Sequence, residues 1–216
     1  MLAYIRQVNN LTLQRIIDRL SVSGYVGAVN LEQLVTYIDL LVKWNRKINL
    51  TSLDIDPLTD AAIDRLIVEP VIASTFVESP GVSVIDLGSG GGSPAIPFKV
   101  QLPQSGMRMV ESRSRKCAFL REAIRQIGLS QTYVEEDRFE LLKQHEHLKS
   151  SAEIITFRAV RLDDELLDLI RWLLVPGGRI FRFTNTSDTA LPSGLRCLSQ
   201  HPLVSSIKSE LQILYF

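Results

Sequence analysis

Asp86-Leu87-Gly88-Ser89-Gly90-Gly91-Gly92-Ser93-Pro94 is the stretch whose reading decides the fold. It follows a β-rich run, Val82 to Leu87, and opens a helical stretch over about 94–101. Glycine tolerates positive φ and lets a ligand approach the backbone. In open α/β sheets, a loop at the carboxyl end of a strand is where ligands bind. Pro94 suits a first helical turn, which needs no N–H from it. A P-loop requires Gly-Lys-Ser/Thr after the glycines, and Gly92-Ser93-Pro94 excludes it. A dinucleotide loop requires glycine where Ser93 stands. S-adenosylmethionine remains: it has no phosphate to cradle, and an Asp at a strand end followed by Gly-x-Gly fits its amino-acid, ribose and adenine parts.

Outward from this loop, short β-rich runs alternate with helical stretches. The runs are 108–111, 132–135, 154–157 and 179–183, and the helical stretches are about 114–127, 137–148 and 163–174. Such alternation predicts a parallel sheet covered on both faces. Leu203–Lys208 and Leu211–Phe216 are too close to pair except as an antiparallel hairpin around Ser209-Glu210. A mostly parallel, Rossmann-like α/β sheet with a C-terminal antiparallel hairpin suits a class I methyltransferase better than a dehydrogenase. Before residue 82 the chain reads as helical. Leu11, Leu13, Ile16, Ile17 and Leu20 have helical spacing and stop at Ser23-Gly24, and Asn30 with Gln33 resembles a capping box ahead of an apolar stripe from Leu31 to Val42. Residues 1–60 are thus expected to form a helical cap on a catalytic domain of residues 61–216.

The chain has 216 residues, 45% apolar and 22% charged, a globular composition. Its 24 basic and 24 acidic residues cancel, so any contact with nucleic acid must use a local basic face. Cys117 and Cys197 are too few for a disulfide framework, and two unpaired thiols are expected. No apolar run is long enough for a membrane helix, and the first residues lack a basic segment followed by a long apolar one. A cytoplasmic monomer is expected.

Chemistry nominates the site residues. Asp86, Gly88 and Gly90 form the loop, and Glu111 ends the second strand, where a carboxylate accepts ribose hydroxyls. In the turn after strand three, Phe139 either lies against adenine, with Glu140 at its edge, or belongs to the core beneath a helix capped by Asp137. Residues 108–125 carry Arg108, Arg113, Arg115, Lys116, Arg121 and Arg125 against Glu111 and Glu122, and Lys43, Arg46 and Lys47 cluster near Trp44. Arg113, Arg115 and Lys116 are the leading candidates for RNA phosphate. His145 and His147 do not share a helix face, so no metal site is expected.

Several motifs together resemble the glucose-inhibited division protein B family. Asp86 to Pro97 is similar to the family's loop, and Trp44-Asn45-Arg46-Lys47-Ile48-Asn49-Leu50-Thr51 to its Asn-Leu-Thr segment. Glu111-Ser112-Arg113-Ser114-Arg115-Lys116 with Phe119-Leu120, Arg138-Phe139-Glu140, Phe157-Arg158-Ala159-Val160 and Pro176-Gly177-Gly178 match further stretches, from about residue 31 to 183. The resemblance implies a class I methyltransferase that uses S-adenosylmethionine to form 7-methylguanosine in 16S rRNA of the small ribosomal subunit. Carried over by position, it implies cofactor contacts at Gly88, Ser93, Glu111, Phe139, Glu140 and Arg158. Leu66 and Pro70 stand where the family usually has His and Ser. Thr184-Asn185 stands where Lys-Gly is common, with Arg182 on the same strand face as a further RNA candidate. The basic C-terminal tail of many members is absent.

Guanine N7 carries no proton, so its methylation needs alignment and no general base. No catalytic acid or base is expected. Arg158 is a positioning residue for the methionine carboxylate or an RNA phosphate, or else a surface partner of Asp163 or Asp164. Two alternatives stay open: a methyltransferase of this fold with another substrate, and a non-catalytic RNA- or ribosome-binding relative.

Overall fold

The computed structural model describes residues 2–185 and 191–216, with residues 2–9 described by backbone alone. Among the described residues, seven strands make one sheet: β1 Ser83–Leu87, β2 Gly106–Val110, β3 Thr132–Glu135, β4 Ala152–Arg158, β5 Leu174–Asn185, β6 Arg196–Val204 and β7 Ser209–Tyr215. Their order is β3-β2-β1-β4-β5-β7-β6. The first five are parallel, and β7 pairs antiparallel with β5 and β6. The expected parallel sheet with a terminal hairpin is thus observed. The order reverses at β1 and β4, so the loops after these strands splay apart and leave a crevice between them.

Both faces of the sheet are covered. On one, α2 (Leu31–Asn45), α5 (Ala95–Gln101) and α6 (Ser114–Ile127) bury Leu34, Tyr37, Ile38, Leu41, Phe98, Phe119 and Leu120. On the other, α7 (Asp164–Leu173) buries Leu166, Ile170 and Leu173 against Ile155 and Phe157. In α6, Cys117, Phe119, Leu120, Ala123 and Ile127 turn inward, which leaves the arginines outside; Gly128, at φ 75°, ends the helix in a left-handed turn. Trp44 meets Phe119 edge-on, with ring centroids 5.9 Å apart, and ties α2 to α6. Both cysteines are free, Cys117 buried and Cys197 exposed.

Three local expectations need correction. The Asn30 side chain accepts from Gln33 N (3.2 Å), but the Gln33 side chain does not close the box; it donates to Ile127 O (3.0 Å) and so joins α2 to α6. The helix expected over 137–148 is two 3₁₀ turns, Phe139–Gln144 and Glu146–Leu148. They break at His145, whose ring reaches back to Asp137 (2.8 Å). In the hairpin, Ser209 and Glu210 belong to β7, and the chain reverses earlier, through Ser205–Ile207 and Lys208 at φ 51°. The Ser209 hydroxyl accepts from Val204 N (3.0 Å) and closes that turn.

The N-terminal helix α1 (Leu2–Val22) buries Ile16 and Leu20, while Leu11 and Ile17 face outward. Charge fixes its docking. Arg19 Nε and Nη2 donate to Asp64 Oδ1 and Oδ2 (2.8 and 2.6 Å), and the Ser206 hydroxyl donates to the same carboxylate (2.6 Å). Asp64 is buried and opens a π-helical segment, Asp64–Val68, between α3 (Asp60–Ile63) and α4 (Glu69–Ser74). One carboxylate thereby joins α1, this segment and the β6–β7 turn. Asp64→Ala strands the arginine of a mostly buried pair and should cost about 3 kcal/mol. Urea unfolding checks this: the midpoint should fall, and an unchanged midpoint would mean α1 docks without the pair.

Candidate functional site

The glycine loop is anchored from below. Gly88 N and Ser89 N both donate to Val110 O (3.0 Å each). Asp86 is buried; its Oδ1 accepts from the Thr156 hydroxyl (2.6 Å), while Oδ2 has no hydrogen-bond partner among the described residues. Burial pushes the Asp86 carboxyl up to about 6, against the opposing pull of Ser89, Thr156 and the Arg158 charge. Gly88 has φ 77°, and a Cβ there would stand 3.3 Å from Val160 Cγ2 and 3.8 Å from Phe139 Cζ. Only glycine keeps that cradle open.

From above, the loop is held by the N-terminal region. The Tyr37 hydroxyl, fully buried, donates to Gly91 O (2.8 Å), and burial raises it well above the ordinary phenol value. Asn45 Oδ1 accepts from Leu50 N and Thr51 N (2.8 and 3.0 Å), which folds Asn49-Leu50-Thr51 over the loop. Tyr37 was missed among the sequence candidates. Its signal was a hydroxyl on an otherwise apolar helix stripe, which needs a buried partner.

Glu111 and the loop meet directly. Glu111 Oε2 accepts from Gly90 N (3.0 Å) and Oε1 from Arg113 N (2.9 Å). Each carboxylate oxygen retains acceptor capacity beyond that bond. A cavity of about 330 Å³ lies here, lined by Gly88, Glu111, Ser112 and Asp137 to Glu140. Phe139 is half-buried against the second core and also borders this cavity, and Glu140 is exposed. Asp137 caps no helix; it accepts from Arg138 N (2.8 Å) and from His145.

A larger cavity of about 570 Å³ lies on the other side of Gly88. Its walls are Leu50 to Leu53, Arg65, Leu66, the loop from Gly88 to Gly91, Ser93, Phe157 to Val160 and Arg182 to Asn185. Arg158 does not pair with Asp163 or Asp164. Asp163 instead caps α7 through Leu166 N (3.0 Å). The partner of Arg158 is Glu69, fully buried, at 2.7 Å. Arg158 Nη1 donates to the Ser93 hydroxyl (3.3 Å), and its guanidinium lies 5.1 Å from the Phe183 ring centre. Arg65 donates to the other oxygen of Glu69 (2.8 Å) and to Asn185 Oδ1 (3.1 Å). Burial acts against both charges, raising Glu69 and lowering Arg158, and each charge offsets the penalty on the other. The Ser93 hydroxyl donates to Leu66 O (3.0 Å), and Arg182 donates to Gln212 Oε1 (3.0 Å).

The basic run on β2 and α6 is thinner than its sequence suggests. Arg108, Arg121 and Arg125 pair with Glu135, Glu136 and Glu122. Among the described residues, Arg113, Arg115 and Lys116 carry no ion pair; the first two are exposed, and the Lys116 ammonium lies 3.8 Å from where a Gly90 Cβ would be. Arg46 pairs with Asp56 (2.8 Å). His145 and His147 face Asp137 and Glu135, and no group of three His, Cys, Asp or Glu that could hold a metal occurs among the described residues. None of the described helices is long and apolar enough to cross a membrane.

The sheet order, the reversed β7 and the crevice beyond β1 and β4 define the class I methyltransferase fold. Solved structures agree. A SAM-dependent methyltransferase from Aquifex aeolicus superposes with TM-score 0.55 at 11% identity, covering 71% of this chain and 91% of that one. Aeropyrum pernix fibrillarin, solved with S-adenosyl-L-methionine, gives 0.53 at 15%, covering 68% and 73%. Within that class, the chain belongs to the GidB family, rRNA small subunit methyltransferase G, whose profile matches residues 30–191. Similar relatives carry the name ribosomal RNA small subunit methyltransferase G. The protein from Xanthomonas euvesicatoria pv. vesicatoria is 33% identical over 177 residues, covering 79% of this chain and 78% of its own. That from Laribacter hongkongensis is 34% identical over 147 residues, covering 67% and 66%.

Proposed function

We propose that this chain transfers a methyl group from S-adenosylmethionine to N7 of a guanosine in the 16S rRNA of the small ribosomal subunit. The observation that carries the reading is the Glu111 carboxylate, fixed by Gly90 N at the edge of a groove that crosses Gly88. The residues present fit the cofactor. Gly88 and Gly90 leave a cradle that a side chain would fill. Glu111 offers oxygens to the ribose hydroxyls, Phe139 a face to adenine, and Glu140 an acceptor at the adenine edge. Ser93 and Arg158 would receive the methionine carboxylate, and Asp86 places negative charge beneath the loop. When bound, the cofactor supplies an electrophilic methyl group.

The protein's part is then positioning. The larger cavity would hold the acceptor base, walled by Leu50 to Leu53 on one side and Arg182 to Asn185 on the other. Excluding water keeps the N7 lone pair aimed at the methyl group, and no proton has to be moved. Arg113, Arg115, Lys116 and Arg182 would hold RNA phosphates around this mouth. Replacing both Arg115 and Lys116 by Ala should weaken RNA binding and lower the slope of log affinity against log salt by about 1.5. Filter binding across a salt series checks this, with cofactor affinity unchanged; an unaltered slope would place the phosphate contacts elsewhere.

The reading extends to a cytoplasmic, single-chain enzyme, for which a sedimenting mass of 24.3 kDa is the check. Leu66 and Thr184-Asn185, which depart from the family pattern, line the larger cavity, and this favours a second reading in which the acceptor differs. Calorimetric titration tests the cofactor. S-adenosylmethionine should bind and NAD should not; binding of NAD alone would overturn the reading.

A further inference from the structure

Glu69 lies outside both cavities yet touches what lines the larger one. Its carboxylate is fully buried and bridges two cations, Arg65 from the π-helical segment (2.8 Å) and Arg158 from the end of β4 (2.7 Å). Both arginines border the larger cavity. Through them the carboxylate reaches further: Arg158 to Ser93 at the end of the glycine loop, and Arg65 to Asn185 at the end of β5. Four walls of one cavity therefore take their relative positions from one carboxylate.

Two observations argue that the arrangement does more than hold the fold. A buried ion pair is a poor source of stability, because desolvation offsets most of the Coulomb gain. The Arg158 guanidinium is also held at both terminal nitrogens: Nη1 donates to the Ser93 hydroxyl (3.3 Å) and Nη2 faces Glu69 Oε2 (2.7 Å). A guanidinium held in this way presents its charge to the cavity wall in one orientation. Arg65 shares the carboxylate and holds it from the opposite side. With Arg158 and Phe183 stacked at 5.1 Å, the guanidinium plane has little freedom left.

We propose that Glu69 is a positioning residue: its carboxylate aims Arg158 and Arg65 into the acceptor cavity and sets the cavity's geometry for methyl transfer. This rests on the reading of that cavity as the place where the acceptor base binds. Glu69 itself touches neither cofactor nor base.

The test compares wild type with Glu69→Gln, which keeps shape and removes charge. In transfer to small ribosomal subunits, kcat should fall about 10- to 100-fold, the size expected from misplacing a group by about 1 Å. KM for S-adenosylmethionine should rise as well, because Arg158 also receives the methionine carboxylate. KM for the small subunit, set by phosphate contacts at Arg113, Arg115 and Lys116, should stay within about threefold; general loosening of the fold would not produce that split. A second readout needs no turnover. In ¹⁵N-arginine spectra the Arg158 Nε–H signal, assigned by its loss in Arg158→Lys, should be resolved and slow to exchange in wild type and broadened or lost in Glu69→Gln. A folded Glu69→Gln protein with unchanged kcat and an unchanged Arg158 signal would overturn the proposal. If Glu69→Gln does not fold, Glu69→Asp keeps the charge but draws it back, and the same kcat loss and signal change are expected; wild-type values there would overturn it equally. If wild type binds S-adenosylmethionine but methylates no small subunit, the functional reading fails, and the Arg158 signal alone decides whether Glu69 positions that guanidinium.

Discussion

Glu111→Ala lowers affinity for S-adenosylmethionine about 10²- to 10⁴-fold while the chain stays folded. The magnitude follows from two charge-assisted hydrogen bonds to the ribose, each worth about 1.5–3 kcal/mol. The chain survives because the same carboxylate holds only two backbone N–H groups, of Gly90 and Arg113, at the rim of a cavity where water can replace it. Glu111→Gln separates charge from shape. It keeps an acceptor oxygen but offers an N–H₂ to a backbone donor, so the loop loses one anchor and affinity should fall between the two extremes. Calorimetry measures the loss, and urea unfolding shows that the fold is retained. Unchanged affinity in Glu111→Ala would remove this residue from the ribose role.

Asp86→Asn is expected to do two opposite things: raise stability at neutral pH and weaken cofactor binding. The folded carboxyl titrates at about 6, raised from 3.8 chiefly by burial. A group whose folded pKa is raised contributes stability fully below its unfolded value and loses it as pH rises through the folded value. Wild type should therefore lose about 3 kcal/mol from this residue between about pH 4 and pH 6, and nothing further above that. Asparagine does not titrate and keeps the bond from Thr156, but its N–H₂ takes the place of the unpartnered Oδ2. The net gain should be about 1–2 kcal/mol near pH 7, reversing to a loss of about 1–2 kcal/mol below about pH 4, where the wild-type carboxyl is protonated and only the cost of the unpaired N–H₂ remains. Urea midpoints of both proteins across that range give the difference directly. A difference that does not change with pH would mean Asp86 is not the group titrating there. The loss of affinity is the other half: a buried charge retained at a cost in stability is explained if it serves the positively charged cofactor. Equal affinity in the variant would leave that cost without a functional reason.

Much of this was legible in the sequence because it is local. The glycine loop follows its strand directly, and Glu111 ends the next one, so a single register brings Gly90 N to its carboxylate. The hairpin was legible in outline and wrong in its turn, because Lys208 takes the left-handed conformation without glycine and Ser209 closes the turn with its side chain. The stretch from 137 to 148 has helical composition, but the Asp137–His145 contact winds it into tighter turns. The rest depends on residues far apart in the chain. Glu69 meets Arg158, Tyr37 meets Gly91 and Thr156 meets Asp86 only once the sheet is assembled. The apparent basic face was overstated for the same reason, since Glu135 and Glu136, at the end of β3, supply partners that spacing within α6 cannot reveal.

The most direct test is to incubate the protein with methyl-labelled S-adenosylmethionine and unmodified small ribosomal subunits, digest the RNA and identify the labelled nucleoside. The account predicts label in 16S rRNA as 7-methylguanosine. Label on another base, or none on a small subunit while the cofactor binds normally, would contradict it.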